Sequence, residues 1–382
     1  SLIVLYWLNL GATVLTYFLF AYKNSLLSAH QRLDIGNKIS MIITTLQYAL
    51  QIGAIFLRNY YLYVIVALFT TALNNIVTAV IVDKMYPEYK PVGKLDKKEI
   101  KIINRRIRDL FTAKIGGVVV DSADSIVISA FLGLTVLAMY NNYFYIMSSI
   151  FGFIGILFSS CTAGIGNSII IESDEKNYND LKKFLLIISW IAGVCTCCLL
   201  CLFQPFMRIW VGEKYMLSMP MVICMCCYFF LHEINRLINT YKDAAGMWHE
   251  DRWRPLVVSI TNLGLNLIMV QYIGLFGILL STVISMLFVG MPWLLYNLFT
   301  VIFHRNAFEF ILRTLWYVVV TVISCVIFYW LCSYITIDGV IGFIVKGIVV
   351  FVGANFVFLV STFKLQEFTQ TKEMALKIVK RK

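Results

Sequence analysis

VVVDSADSIVIS, residues 118–129, sets two carboxylates, Asp121 and Asp124, one helical turn apart in a run otherwise fit for hydrocarbon. The same conflict extends to the whole chain. Its 382 residues are 60% hydrophobic and only 14% charged, and the mean hydropathy of +0.81 is beyond what a soluble domain of this length tolerates. The composition defines an all-α polytopic membrane protein, and within it a mid-span acid has to face something other than lipid.

A hydrocarbon core about 30 Å thick needs roughly 20 apolar residues per helix. That ruler predicts about eleven spans, near 1–21, 37–57, 61–82, 115–137, 140–161, 183–204, 217–239, 256–272, 275–298, 308–334 and 337–362. The pair at 256–298 is one apolar run, divided at YIGLFG, where Gly274 and Gly277 allow a tight turn.

The net charge of +11 does not point to nucleic acid, because the basic residues sit between apolar segments instead of forming one patch. They fit anionic lipid headgroups as partners. One set of alternate loops and the tail hold nearly all of them, including ten from Lys84 to Lys114, whereas the opposite loops hold Arg58, Arg208 and Lys214. By the positive-inside rule residue 1 is external and Lys382 cytoplasmic. A chain with an odd number of spans and no Met at its start reads as lacking its natural beginning.

The ten cysteines, including CTCCLLC (195–201) and CMCC (224–227), all lie in apolar spans, where thiols pack as small side chains more readily than they bind metal. No metal site is expected. The one long cytoplasmic connection, 83–114, opens with Pro87 and Pro91 and then puts Ile100, Ile103, Ile107 and Leu110 on one stripe. It reads as an interfacial helix on anionic lipid or as a solvated linker. A weak repeat, YKNSLLSAH (22–30) and YKDAAGMWH (241–249), hints at a duplicated bundle.

PFMRIWVGEKY (205–215), NTYKDAAGMWHEDRWRPL (239–256), TNLGLNL (261–267), GLFGILLSTVIS (274–285), DSADSIVISAFLGL with YNNYFYI (121–146) and GIGNSII (164–170) together resemble the Wzx-type polysaccharide-biosynthesis flippases. That superfamily also holds the lipid II flippases and the MATE exporters. The chain departs from the pattern after RPL, where Val257 and Val258 replace the acidic residue often found there. The resemblance implies a MATE-like bundle of two six-helix lobes and a final pair, from which the first three helices would be absent here. The corresponding divisions are 1–86 for the rest of the first lobe, 87–112 for the basic linker, 113–302 for the second lobe, 303–363 for the final pair and 364–382 for a basic tail.

The resemblance further implies a flippase of the bacterial inner membrane, moving undecaprenyl-pyrophosphate-linked oligosaccharide outward by alternating access for surface polysaccharide such as lipopolysaccharide. Its partners would be the lipid-linked oligosaccharide and other polysaccharide-assembly proteins. A MATE-like exporter of small organic cations is the related alternative. A membrane polymerase or glycosyltransferase is the alternative of another class, disfavoured because the external loops are short. The chain is read as a transporter and not an enzyme, with no cofactor, and it lacks GxxxxGK[ST] for ATP hydrolysis.

The candidate site residues follow from where polarity interrupts the spans. A carboxylate at mid-membrane is a functional hypothesis by default. Asp121 and Asp124 repel each other, and a coupling H⁺ or Na⁺ would relieve them; the other reading is a serine-capped pair held for helix packing. Lys114 lies two turns earlier on the same face. On HEINRLINTYKD (232–243), Arg236 could grip pyrophosphate bidentately beside His232, Glu233 and Asn239, or it could snorkel or pair with Glu233. Asn142 and Asn262 belong to a scatter of amides that could bind sugar hydroxyls or join helices. Lys346, alone in the last span, reads as snorkelling or meeting a lipid phosphate.

Overall fold

The structure, a computed structural model, describes residues 2–20, 22–89, 95–337 and 339–380. It is all-helical, with no strand among these residues, and the chain divides into two units, Ser1–Asp96 and Lys97–Lys382. In the first unit, α1 (Leu2–Phe18), the short α2 (Lys23–Ala29), α3 (Leu33–Phe56) and α4 (Tyr60–Met85) pack around α4. Asn59 caps α4 by accepting from the Leu62 amide at 3.1 Å. Polar bonds join α3 to α4: Thr70 to Gln47 at 3.0 Å and Ser40 to Asn74 at 3.3 Å. Lys23 pairs with Asp83 where α2 meets α4. Amides in this unit thus act as interhelical bonds. Pro91 of the connection lies outside the described residues.

The second unit holds α5 (Lys97–Phe131), α6 (Leu134–Ile171), α7 (Asp174–Trp210), α8 (Met219–Ala244), α9 (Arg254–Ser285), α10 (Met291–Val301), α11 (Phe308–Ser333), α12 (Gly339–Thr362) and α13 (Gln366–Lys380). Each of the eleven expected spans is helical. Eight described helices are long and apolar enough to cross a membrane. Two more of the expected spans, the 17-residue α1 and the apolar end of α5, are shorter than that standard. The eleventh arises because Arg254–Val301 is two arms: Ile273 and Gly274 leave helical geometry, Gly274 with φ 57°, and the chain turns back. A Cβ at Gly277 would stand 2.6 Å from the Met269 carbonyl oxygen, so that close approach requires glycine.

The stripe from Ile100 to Leu110 is not a separate helix, because α5 runs unbroken from it into the apolar segment holding Asp124. Nor do α6 and α7 stop at the apolar limits of 161 and 183. They continue as helix to Ile171 and from Asp174, joined at Ser173, which caps α7 with acidic Asp174 and Glu175 in the first turn. Buried Tyr178, Tyr241, Phe299, Phe303 and Phe310 form an aromatic core between α7, α8, α10 and α11. Helix α7 is the hub, packing on α8, α11, α12 and α13. Gly193 makes this possible, since a Cβ there would overlap the Phe358 ring of α12 and Thr321 of α11.

Six of the cysteines, Cys197, Cys201, Cys224, Cys226, Cys325 and Cys332, are buried between helices, and Cys227 is exposed. All ten are free thiols, with the Cys197 and Cys325 sulfurs 3.4 Å apart between α7 and α11, and no metal-binding cluster occurs among the described residues. The tail begins as α13, docked through Glu367, which pairs with Arg313, and through Phe368 stacked on Trp190.

Candidate functional site

Helix α5 turns Asp124, Val127 and Ile128 inward and Val118 and Ile126 outward. The spacing that joined Asp124 to Ile128 on one face is the spacing of burial. The side chain of Asp121 lies outside the described residues. Asp124 is 8% exposed and meets the α9 hairpin, where Asn262, Asn266 and Ser281 have no exposed surface. Asn266 Nδ2 donates to Asp124 Oδ1 at 2.7 Å, and Thr282 Oγ1 donates to Oδ2 at 3.0 Å. Asn262 Nδ2 donates to Thr282 Oγ1 at 3.1 Å, Asn266 Nδ2 also reaches Asn262 Oδ1 at 3.3 Å, and Ser281 donates to Asn266 Oδ1. Charge-assisted hydrogen bonds from neutral donors let a carboxylate sit in the bundle.

Beside this network lies a cavity of about 40 Å³ lined by Asp124, Thr282, Tyr140, Tyr228, Met147 and Leu279. It has room for a water or a dehydrated small cation. A larger cavity of about 330 Å³ shares Thr282 and Tyr228 with it and is lined also by Lys114, His232, Asn235, Asn239, Lys242 and Arg254. Arg254 forms a bidentate pair with buried Asp251 at 2.6 and 2.7 Å, and its Nη2 donates to Asn239 Oδ1 at 2.9 Å. Lys242 lies 2.7 Å from Asp243 and 3.6 Å from Asp251. Lys114 is exposed and has no ion partner among the described residues, so its charge is the one left for an incoming anion.

Arg236 points into the protein, not out to the interface. It donates to the Phe151 carbonyl at 2.8 Å, lies 3.8 Å from Glu233, and fills a notch that exists because residue 155 is glycine. Glu233 is fully buried and neither of its oxygens accepts a hydrogen bond; His232 Nδ1 is 3.6 Å away. Gly166 also lets α6 approach α8, at the Ala244 carbonyl, whereas Gly152 and Gly164 face open space. Asn142 is half-buried on α6 and lines neither cavity.

The structure therefore brings together Asp124 and Asn262 in one place, and Lys114, His232 and Asn239 in another that adjoins it. Asn266, one of the scattered amides, completes the arrangement with Ser281, Thr282, Tyr228, Lys242 and Arg254, and these last five were not singled out from sequence. The available signal was the hairpin: Asn266 and Thr282 each lie eight residues from Gly274, so folding there sets them opposite each other.

At the cytoplasmic end expected for α5, Asp109 is buried against His249, whose Nδ1 is 2.9 Å from Oδ2. That hydrogen bond, opposed by burial and helped by Arg252 and Arg108, holds the Asp109 carboxyl below the usual range.

Apolar helices of membrane-spanning length with a carboxylate caged among them define a multi-pass membrane protein, and the course of its chain is that of a solved flippase fold. Among solved structures the chain is similar to lipid II flippase MurJ in an inward closed conformation, with a TM-score of 0.51 and 18% identity over 83% of this chain and 67% of that one. No protein-family model and no curated protein sequence matches the chain.

Proposed function

We propose that the protein is a flippase for a lipid-linked oligosaccharide, with undecaprenyl pyrophosphate as the carrier, in the bacterial inner membrane. Cytoplasmic loops carry the basic residues in this reading. The observation that carries it is the pairing of two cavities through Thr282 and Tyr228, one beside a caged acid and one presenting Lys114, His232 and Asn239. The fold shared with a lipid II flippase supports the general class, and the resemblance in DSADSIVISAFLGL and NTYKDAAGMWHEDRWRPL supports the oligosaccharide.

Asp124 is the coupling element of this reading. Its oxygens, with those of Asn262, Thr282 and the Ile278 carbonyl to which Ser281 and Thr282 also donate, are hard donors of the kind that suit Na⁺, and the carboxylate alone suits H⁺. Occupation of Asp124 changes the hydrogen bonds available to Thr282 and so reaches the larger cavity. Lys114 meets the pyrophosphate, and the amides meet the sugars.

The test is translocation of a fluorescent prenyl-pyrophosphate oligosaccharide in proteoliposomes under imposed Na⁺ and H⁺ gradients. Gradient-driven flipping that disappears in Asp124→Asn is the expected result. Equal rates for wild type and variant would remove Asp124 from the mechanism, and export of organic cations without lipid flipping would replace the substrate.

A further inference from the structure

A third cavity, of about 290 Å³ and also partly polar, lies between α7, α11 and α12, away from the residues of the proposed transport site. Arg208, Gln204, Tyr329, Ser333 and Lys346 are among its lining groups. It sits where α7 and α11 end and α12 begins, the end of the bundle that the charge asymmetry assigns to the outside.

Lys346 is the lone charged residue of α12, and seven residues into the helix it is about 10 Å along the axis from Gly339. It is half-buried and has no ion pair or hydrogen bond among the described residues. Arg208 stands in the last turn of α7 with its side chain largely exposed, bound to Glu213 at 3.1 Å. Gln204 is already engaged, accepting from Tyr143 at 2.9 Å and donating to the Leu217 carbonyl at 2.6 Å. Among the described residues, the ammonium of Lys346 is therefore the charge in this cavity without a counter-ion.

Apolar Leu200, Ile209, Ile337 and Phe343 also line the cavity, and the same stretches of α11 and α12 carry Trp330, Tyr334, Ile341 and Ile344, all exposed. A ligand that answers the charge and covers these side chains has an anionic head and a hydrocarbon tail. We propose that the cavity is a binding site for a lipid-anchored phosphate, held by Lys346 with Arg208 near its mouth and with the acyl or prenyl chain lying along α11 and α12. The compact ammonium acts on a single phosphate as a point charge, and the exposed guanidinium of Arg208 draws anionic heads toward the opening.

Two lipids share this chemistry, a resident phospholipid such as phosphatidylglycerol and a prenyl phosphate related to the transported carrier. The test is native mass spectrometry of the full chain released from phosphatidylcholine nanodiscs doped with either one, comparing wild type, Lys346→Met, Lys346→Arg and Arg208→Gln. Retention of an anionic lipid should fall by about tenfold in Lys346→Met and recover in Lys346→Arg. The fall in Arg208→Gln should be smaller. Retention of phosphatidylglycerol alone assigns the site to a resident lipid, and tighter retention of the prenyl phosphate assigns it to a carrier-type lipid; both support it. Equal retention by wild type and Lys346→Met, or retention of phosphatidylcholine as strong as of the anionic lipids, overturns it. Unchanged thermal unfolding of Lys346→Met in detergent checks that the variant is folded. Flipping by Lys346→Met is read separately, so the fate of the Asp124 mechanism does not decide this site.

Discussion

Asp124 and Glu233 are both buried carboxylates on apolar helices of the same unit, and their surroundings differ in kind. Each oxygen of Asp124 accepts a hydrogen bond, from Asn266 and Thr282, and a small cavity stands beside it. Glu233 has no hydrogen bond at either oxygen and lines neither cavity of the proposed transport site; the Arg236 guanidinium lies 3.8 Å from it and His232 Nδ1 3.6 Å. A carboxylate kept for neutralising a neighbouring arginine needs proximity alone. One that exchanges a cation needs oxygen donors that can rearrange and a space to receive the ion, and Asp124 has both. Burial of an acid therefore does not mark the coupling site in this molecule. Its partners and the adjoining volume do.

The contrast is broken most directly by Asp124→Asn, which keeps the volume and one acceptor oxygen but removes the charge. Coupled flipping should fall to background while the protein remains folded by thermal unfolding in detergent. Thr282→Val comes next. It removes the hydrogen bond to Asp124 Oδ2 and the acceptor of Asn262 Nδ2, so transport should drop by roughly 10-fold and stability by about 1–3 kcal/mol, read from transport rates and unfolding midpoints. Gly155→Ala should act on the other carboxylate's neighbourhood, because its Cβ lands on the Arg236 guanidinium. The flexible end of the arginine can move, which puts the loss at about 1 kcal/mol, the low end for overpacking. Glu233→Gln should leave flipping unchanged, because what it removes is the charge that neutralises Arg236 and not a bond to the transport site. A transport defect in Glu233→Gln as deep as that of Asp124→Asn would erase the distinction between the two acids.

Much of the fold is legible without coordinates, because a lipid interior imposes a length on every apolar helix and a turn must interrupt any run twice that length. Gly274 supplied that turn, and with it the division of residues 256–298. The helix ends are less legible. Residues 162–182 are polar enough to leave the membrane, yet NYNDLKK is compatible with helix, and the Ser173 cap keeps the connection to a tight turn. At the site, Asp124 stands out because a charge in an apolar run is costly wherever it points. Asn266 and Thr282 do not, because an amide or hydroxyl in a membrane helix can bond to its own backbone, to another helix or to a ligand, and only the hairpin selects among these. Arg236 shows the reverse case: its residue type fits pyrophosphate, but Gly155, 81 positions away in sequence, gives it a niche inside the protein.

The smallest expected effect lies at Asp109, which unlike Asp124 and Glu233 stands outside the apolar part of α5 and is paired with groups able to hold charge. Its carboxyl is held below the usual range in the folded protein, through the His249 hydrogen bond first and the nearby arginines after it. A depressed folded value means that the unfolded chain takes up the proton first as pH falls. The stabilisation is then complete above the unfolded value near 3.9 and disappears as pH drops through the folded value. Comparing Asp109→Asn with its parent, both carrying His249→Gln so that an amide keeps the contact and no imidazole titrates, should give a difference in unfolding midpoint that is constant from pH 7 to about 5. Below the ordinary carboxylate value the difference should shrink. A gap that widened toward acid would mean that Asp109 is held protonated in the folded state, and the loop from Gly246 to Trp253 would then be tied to α5 by a neutral hydrogen bond instead of by charge.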